Sequence, residues 1–262
     1  MMGDAMLTVM SFNILDGAIG HGESRWEAVI ELVEEQQPDV LLLCECNRFE
    51  ADGSALLHAL ERQLGLRGSL ALAATGYHVG IFAREAHWLS AKPLHGFYHA
   101  ALRVKLSIAG EPLTVVGAHL CPFSAQIRLG EAEILANDAK PDENVLLMGD
   151  LNALSPLDDT REALNAMSPH RRARHRGITG QADTRSLEAL MAAGFIDLAD
   201  RLGVREFTYP TSLREELSKP RVRIDYALAT PSLAQRATQF TVVRGETAER
   251  ASDHYGIVVK IA

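Results

Sequence analysis

Glu143 to Asn152 reads ENVLLMGDLN. Its aliphatic run, Val145 to Met148, is bounded by polar residues and predicts a strand over Asn144–Asp150. The run finishes on a carboxylate, Asp150, with the amide of Asn152 two residues further on. Sites are usually assembled where strand ends meet loops, so this ending is the first functional signal in the chain.

The same ending recurs on both sides. Leu7–Phe12 finishes on Asn13, Val40–Cys44 on Glu45, and Val115–Ala118 on His119. Towards the C-terminus Ile224 is followed at once by Asp225, and Ser252-Asp253-His254 precedes the last strand. One polar residue at a strand end is ordinarily a cap or a turn former. Three Asp, one Glu, two His and two Asn spread over six such ends form a constellation.

Between these motifs the pattern alternates strand and helix. Strands are predicted over Leu7–Asn13, Asp39–Glu45, His78–Ala83, Ala101–Ile108, Leu113–His119, Asn144–Asp150, Ile224–Thr230, Thr238–Arg244 and Gly256–Ile261. Ser24 and Glu27 make a capping box for a helix that Pro38 stops. Further helices are predicted over Gly53–Leu64, Ser124–Asn137 and Arg185–Ala193, and Ser168–Gln181 reads as a long loop. No repeat or linker interrupts residues 1–262, which read as one mixed α/β domain.

Composition narrows the field. At 47% hydrophobic and 23% charged residues, the 262-residue chain is ordinary globular protein. Its longest aliphatic stretch, Val40–Leu43, is far below the roughly 20 residues of a membrane span. Asp4 stands where a signal peptide carries a cation, and three cysteines leave no complete disulfide set. A reducing, cytoplasmic setting is expected. Net charge is −8, unevenly placed: Arg161–Arg223 holds 12 basic and 8 acidic residues, so it is +4 and the rest −12. HRRARHR (His170–Arg176) reads as a solvated loop or as a phosphate-facing rim over an acidic site.

Carboxylates and amides without a cysteine cluster suit a hard cation, Mg²⁺ or Mn²⁺. On a strand Cys44 and Cys46 would point away from Glu45, into the core. No G-x-S-x-G elbow, P-loop or dinucleotide fingerprint is present. A metal, two histidines and a water-activating carboxylate describe hydrolysis of a phosphoester.

SFNILDG, LLLCE, YHVGIFAR, VVGAHL, LLMGDLNA, RIDYAL and SDH, in that order, resemble the endonuclease/exonuclease/phosphatase superfamily from about Leu7 to Ile261. The resemblance implies an α+β fold: a four-layer α/β/β/α sandwich, two packed mixed or antiparallel sheets flanked by helices. It implies Glu45 as principal metal ligand, with Asn13 and Asp253 close to the same ion. It implies Asp150 as the group that orients or deprotonates water, and Asn152 as the amide that positions it. His254 is implied at the phosphate with Asp225 holding it, and His119 as the second stabilising histidine. GAHL (Gly117–Leu120) is closer to the phosphatase, sphingomyelinase and deadenylase branches than to apurinic endonucleases. With aromatics at only 6%, no extended DNA surface is evident, and a small or single-stranded phosphate substrate is expected. The alternatives are a DNA or RNA endo- or exonuclease, and a non-catalytic anion-binding relative.

Overall fold

The structure, a computed structural model, describes residues 6–20, 25–214 and 220–262. Ser24 of the expected capping box lies outside them.

Two six-stranded sheets pack face to face. The first runs β11 (Ala237–Val242), β12 (Ile257–Ile261), β1 (Leu7–Asn13), β2 (Val40–Cys44), β4 (Val79–Ala83), β3 (Arg67–Ala71). The second runs β5 (Trp88–Leu94), β6 (Ala100–Ile108), β7 (Glu111–His119), β8 (Val145–Asp150), β10 (Asp225–Ala229), β9 (Ile196–Asp197). At the centre of each lies one parallel pair, β1 with β2 and β7 with β8. Helix α1 (Arg25–Gln36) makes the crossover in the first, and α3 (Ala125–Ala136) in the second. Parallel neighbours need such a crossover, because a tight turn can only reverse the chain.

Alternation along the strands decides what each face covers. On β8, Leu146 and Met148 join the core between the sheets, while Val145 and Leu147 join a cluster with Ala132 and Leu135 of α3 and Leu187 and Leu190 of α6 (Arg185–Ala192). Beyond the first sheet, α1 packs against α9 (Glu246–Ala251). The order helix, sheet, sheet, helix is the four-layer sandwich expected. The remaining helices are α2 (Ala51–Leu64), α4 (Arg161–Ala166), α5 (Pro169–His175), α7 (Leu198–Arg201) and α8 (Pro231–Arg236).

All nine expected strands form, with ends shifted by a residue or two. The three unforeseen ones, β3, β5 and β9, are all sheet edges. Edge strands lack a doubly buried apolar run, and β5 even carries Pro93, which an edge tolerates. The expected loop Ser168–Gln181 is corrected at its start: Ser168 caps the N-terminus of α5 and Pro169 occupies its first turn. That helix is too short to show a hydrophobic period, which is why it reads as loop.

Two glycines permit close approaches, Gly117 between the sheets and Gly149 between neighbouring strands of the second sheet. A Cβ at Gly117 would come within 2.5 Å of Leu42 on the facing sheet. Gly149 has φ 141°, and a Cβ there would drive into the Ala118 carbonyl. We expect Gly149→Ala to cost roughly 3 kcal/mol or more, since backbone strain and overpacking add. Gly130→Ala inside α3, where a Cβ meets nothing within 4 Å, should instead gain about 0.5–1 kcal/mol. Urea unfolding of both variants checks the pair; a mild Gly149→Ala would refute the close approach.

Candidate active site

Register brings the polar strand ends together. In the second sheet Asp150 pairs with His119 on β7 and with Asp225 on β10, so the three stand side by side on one face. In the first sheet Asn13 pairs with Cys44, and Glu45 follows directly. Strand β12 runs antiparallel to β1, so Asp253 and His254, just before its start, arrive at the same edge.

Asn13 joins the two sheets. Its Nδ2 donates to Glu45 Oε1 and to Asp150 Oδ2, each at 3.1 Å. Its Oδ1 accepts the Leu15 N–H at 3.0 Å, which fixes the amide orientation. The backbone N–H of Asp16 donates to Glu45 Oε2 at 2.8 Å. Glu45 itself has φ 62°, so the chain has already left the strand, and Asn152 has φ 48°. Such positive φ values are uncommon for non-glycine residues and cluster where function outweighs backbone comfort. The strand alternation expected through Cys44–Cys46 therefore stops at Glu45, though both thiols are buried in the core as anticipated.

Asn152 is tied in through its N–H to Asp150 Oδ1 at 2.9 Å and its Nδ2 to the Leu120 carbonyl at 3.1 Å. His254 Nδ1 lies 2.9 Å from Asp225 Oδ2. Thr208 Oγ1 accepts the Asp225 N–H at 3.1 Å, and Ser252 Oγ donates to the Asn13 carbonyl at 2.6 Å. Asp150 Oδ2 lies 3.5 Å from His119 Nε2 and 3.8 Å from His254 Nε2. All eight residues singled out in the sequence thus border one site.

Burial tunes these groups. It pushes Asp150 up to about 7, with Asp225 adding to the rise. Burial raises Glu45 as well. His119 is driven well below the ordinary histidine value by burial, helped by His99 and His254. Burial would also lower His254, but the carboxylates of Asp225 and Asp150 outweigh it, and its pKa rises well above normal.

The structure adds residues that strand-end reading missed. His99 stacks on His119, with ring centres 4.3 Å apart, and Tyr77 meets His119 edge-on at 6.4 Å. Tyr209 packs against His254 at 4.9 Å. Phe123, Arg171 and Arg174 also line the cavity. His99 and Tyr77 sit just before β6 and β4, which run antiparallel to the strands that end on His119 and Glu45. Such a strand presents its beginning to the site, as with Asp253-His254; reading strand starts equally would have found both. Of the four arginines in the basic run, Arg171 and Arg174 reach the cavity. Arg172 donates instead to the Asn165 and Met167 carbonyls, and Arg176 to that of Gly180.

The donors fit a hard divalent cation. The carboxylates of Glu45, Asp150 and Asp253 line the same cavity, Asp225 has an oxygen within 4.8 Å of one on Asp150, and no cysteine lines it. Because its oxygen is occupied by Leu15, Asn13 turns its NH₂ to the carboxylates.

Comparison with known proteins bears on the fold and the family. No curated protein sequence matches the chain. Among solved structures, TDP2 from D. rerio with single-strand DNA product is 18% identical with a TM-score of 0.71, covering 99% of this chain and 100% of that one. An AP endonuclease from Archaeoglobus fulgidus is 21% identical, TM-score 0.70, with coverage of 97% and 99%. A mannosyl-6-phosphatase from Bacteroides thetaiotaomicron is 16% identical, TM-score 0.70, with coverage of 98% and 99%. At these identities the likeness concerns the fold. The profile of the Endonuclease/Exonuclease/phosphatase family matches residues 10–254. The chain belongs to that family of metal-dependent phosphoric ester hydrolases.

Proposed function

We propose that the protein hydrolyses a phosphoester by in-line attack of an activated water, on a small or single-stranded phosphate substrate. The observation that carries this reading is the buried Asp150 carboxylate, held by Asn13 between His119 and His254. Glu45 and Asp253, beside Asn13, would hold a divalent cation, Mg²⁺ or Mn²⁺, which would neutralise the phosphoryl oxygens. Asp150, lifted to about 7, is matched to accept the proton of the attacking water near neutral pH, and Asn152 orients that water. His254, kept cationic by Asp225, stabilises the charge that grows on the phosphoryl group. His119, kept neutral, donates a hydrogen bond to the same oxygens.

A second reading, a nuclease for single strands, is favoured by two rings that line the cavity, Tyr77 and the exposed Phe123, because bases stack on aromatic side chains. Three free, buried cysteines support a reducing, cytoplasmic setting. No helix among the described residues is long and apolar enough to cross a membrane.

A panel of single-stranded oligonucleotides, nucleotides, sugar phosphates and phospholipid head groups, assayed with Mg²⁺, Mn²⁺ or EDTA, tests the reading. Cleavage of at least one class that EDTA abolishes is expected; no cleavage of any would sink it.

Asp225 and His254 should act as a unit. Asp225→Asn and His254→Ala are each expected to lower kcat by about 10³ or more, and the double variant little further. Multiplicative losses would separate the two roles.

Asp150 also makes a stability prediction. Its pKa rises from about 3.9 unfolded to about 7 folded, so the folded chain favours the protonated form. This contribution is intact below about pH 4 and is lost as pH climbs to about 7. Without divalent cations, Asp150→Asn should therefore gain on the wild type in urea midpoint as pH rises through that window. A gap independent of pH would contradict the burial argument.

A further inference from the structure

Besides His254, the positive charge at the cavity is carried by α5, and among the described residues no carboxylate pairs with it. Arg171 and Arg174 both line the cavity, and among the described residues neither forms an ion pair. Each guanidinium lies instead against an aromatic ring. Arg171 sits 5.2 Å from the Tyr209 ring centre and donates to its hydroxyl at 2.7 Å. Arg174 sits 4.7 Å from the Phe123 ring centre. The cations press on one another: Arg174 is lowered by burial and by Arg171, and His175 is pushed down to about 3 by burial with Arg128, Arg171 and Arg174. His175, also on the cavity wall, has a buried Nδ1 without a hydrogen-bond partner among the described residues.

This helix is fastened down. Ser168 caps it, and Arg172 ties it to the Asn165 and Met167 carbonyls. From α3 the buried Arg128 donates to the Arg174 carbonyl. Two forked cations are thus oriented before any ligand arrives, which lowers the ordering cost of binding. They are also set apart from the reacting groups. Arg171 is anchored to the hydroxyl end of Tyr209, whose ring packs on His254 at 4.9 Å, and it pairs with none of the site carboxylates.

We propose that Arg171 and Arg174 form a second anion subsite, which holds a non-scissile phosphate of a substrate carrying two. The second phosphate comes from the next link of a nucleotide strand or from a small bisphosphate; the chemistry recognised is the same. The proposal rests on the hydrolase reading for the first phosphate, but the subsite is measured by binding.

The test uses two ligand pairs: the dinucleotide TpT with its 5′-phosphorylated form pTpT, and fructose 6-phosphate with fructose 1,6-bisphosphate. Affinity is read by calorimetry with Mg²⁺ in an Asp150→Asn background, where the proposed proton acceptor is removed; turnover is followed separately with wild type. We expect the two-phosphate member of at least one pair to bind about tenfold tighter or more. Which pair shows this identifies the source. Adding Arg171→Ser and Arg174→Ser should bring the ratio within about twofold of one. Arg171→Lys with Arg174→Lys, which keep the charge and lose the fork, should leave an intermediate ratio. Arg176→Ser, whose guanidinium faces the Gly180 carbonyl, should keep the full preference. A ratio near one for both pairs in the parent, or a preference surviving the serine pair, overturns the subsite. Wild type that turns over none of these ligands while the ratios behave as expected would count against the hydrolase reading and leave the subsite standing.

Discussion

The site depends on one constraint: two carboxylates, Glu45 from one sheet and Asp150 from the other, are held close inside the protein. Like charges so placed repel, and burial makes that repulsion costlier. The Asn13 amide relieves it by donating one hydrogen bond to each, at 3.1 Å, while its own oxygen is fixed by Leu15. Burial raises the pKa of both acids, with Asp253 adding to the rise of Glu45 and Asp225 to that of Asp150. A divalent cation would answer the same electrostatic need, so the carboxylates that repel one another are those that would give the site its affinity for a cation.

From that bridge the other features take their places. The sheets approach closely at Gly117 and Leu42, which brings the ends of β1 and β8 within reach of one side chain. His119 and His254 flank Asp150 yet are pushed in opposite directions, one kept neutral and the other charged. The difference is a partner. His254 has Asp225, whereas His119 has another imidazole stacked on it and, among the described residues, a buried Nδ1 with no hydrogen bond. Two histidines at one carboxylate thus differ in charge state because their second contacts differ.

Much of this was legible in the sequence because strands buried on both faces write unbroken apolar runs. Val145–Met148 could hardly be anything else, and the polar residue that ends such a run is conspicuous. Register needed no separate deduction, since parallel strands within a sheet bring their ends to one edge. What stayed hidden was written in weaker code. The edge strands β3 and β5 carry mixed, half-exposed residues, and α5 spans only Pro169–His175. The low aromatic content pointed away from stacking, yet several of those few rings line the cavity. Composition counts residues without saying where they gather, and Arg171 and Arg172, adjacent in sequence, part company as soon as the helix turns.

The two central parallel pairs have a further meaning. In each sheet a strand, a crossover helix and a parallel strand are flanked by antiparallel neighbours, and the first strand of each pair ends on a nitrogen-bearing side chain, Asn13 or His119. The second leads to a carboxylate, Glu45 or Asp150. The sandwich is therefore two halves of similar plan laid face to face, although the sequence shows no repeat. Neither sheet alone carries all eight polar residues of the site. The spacing of the polar groups across the site is therefore set by how the two sheets pack, and any change in the core between them moves Glu45 relative to Asp150.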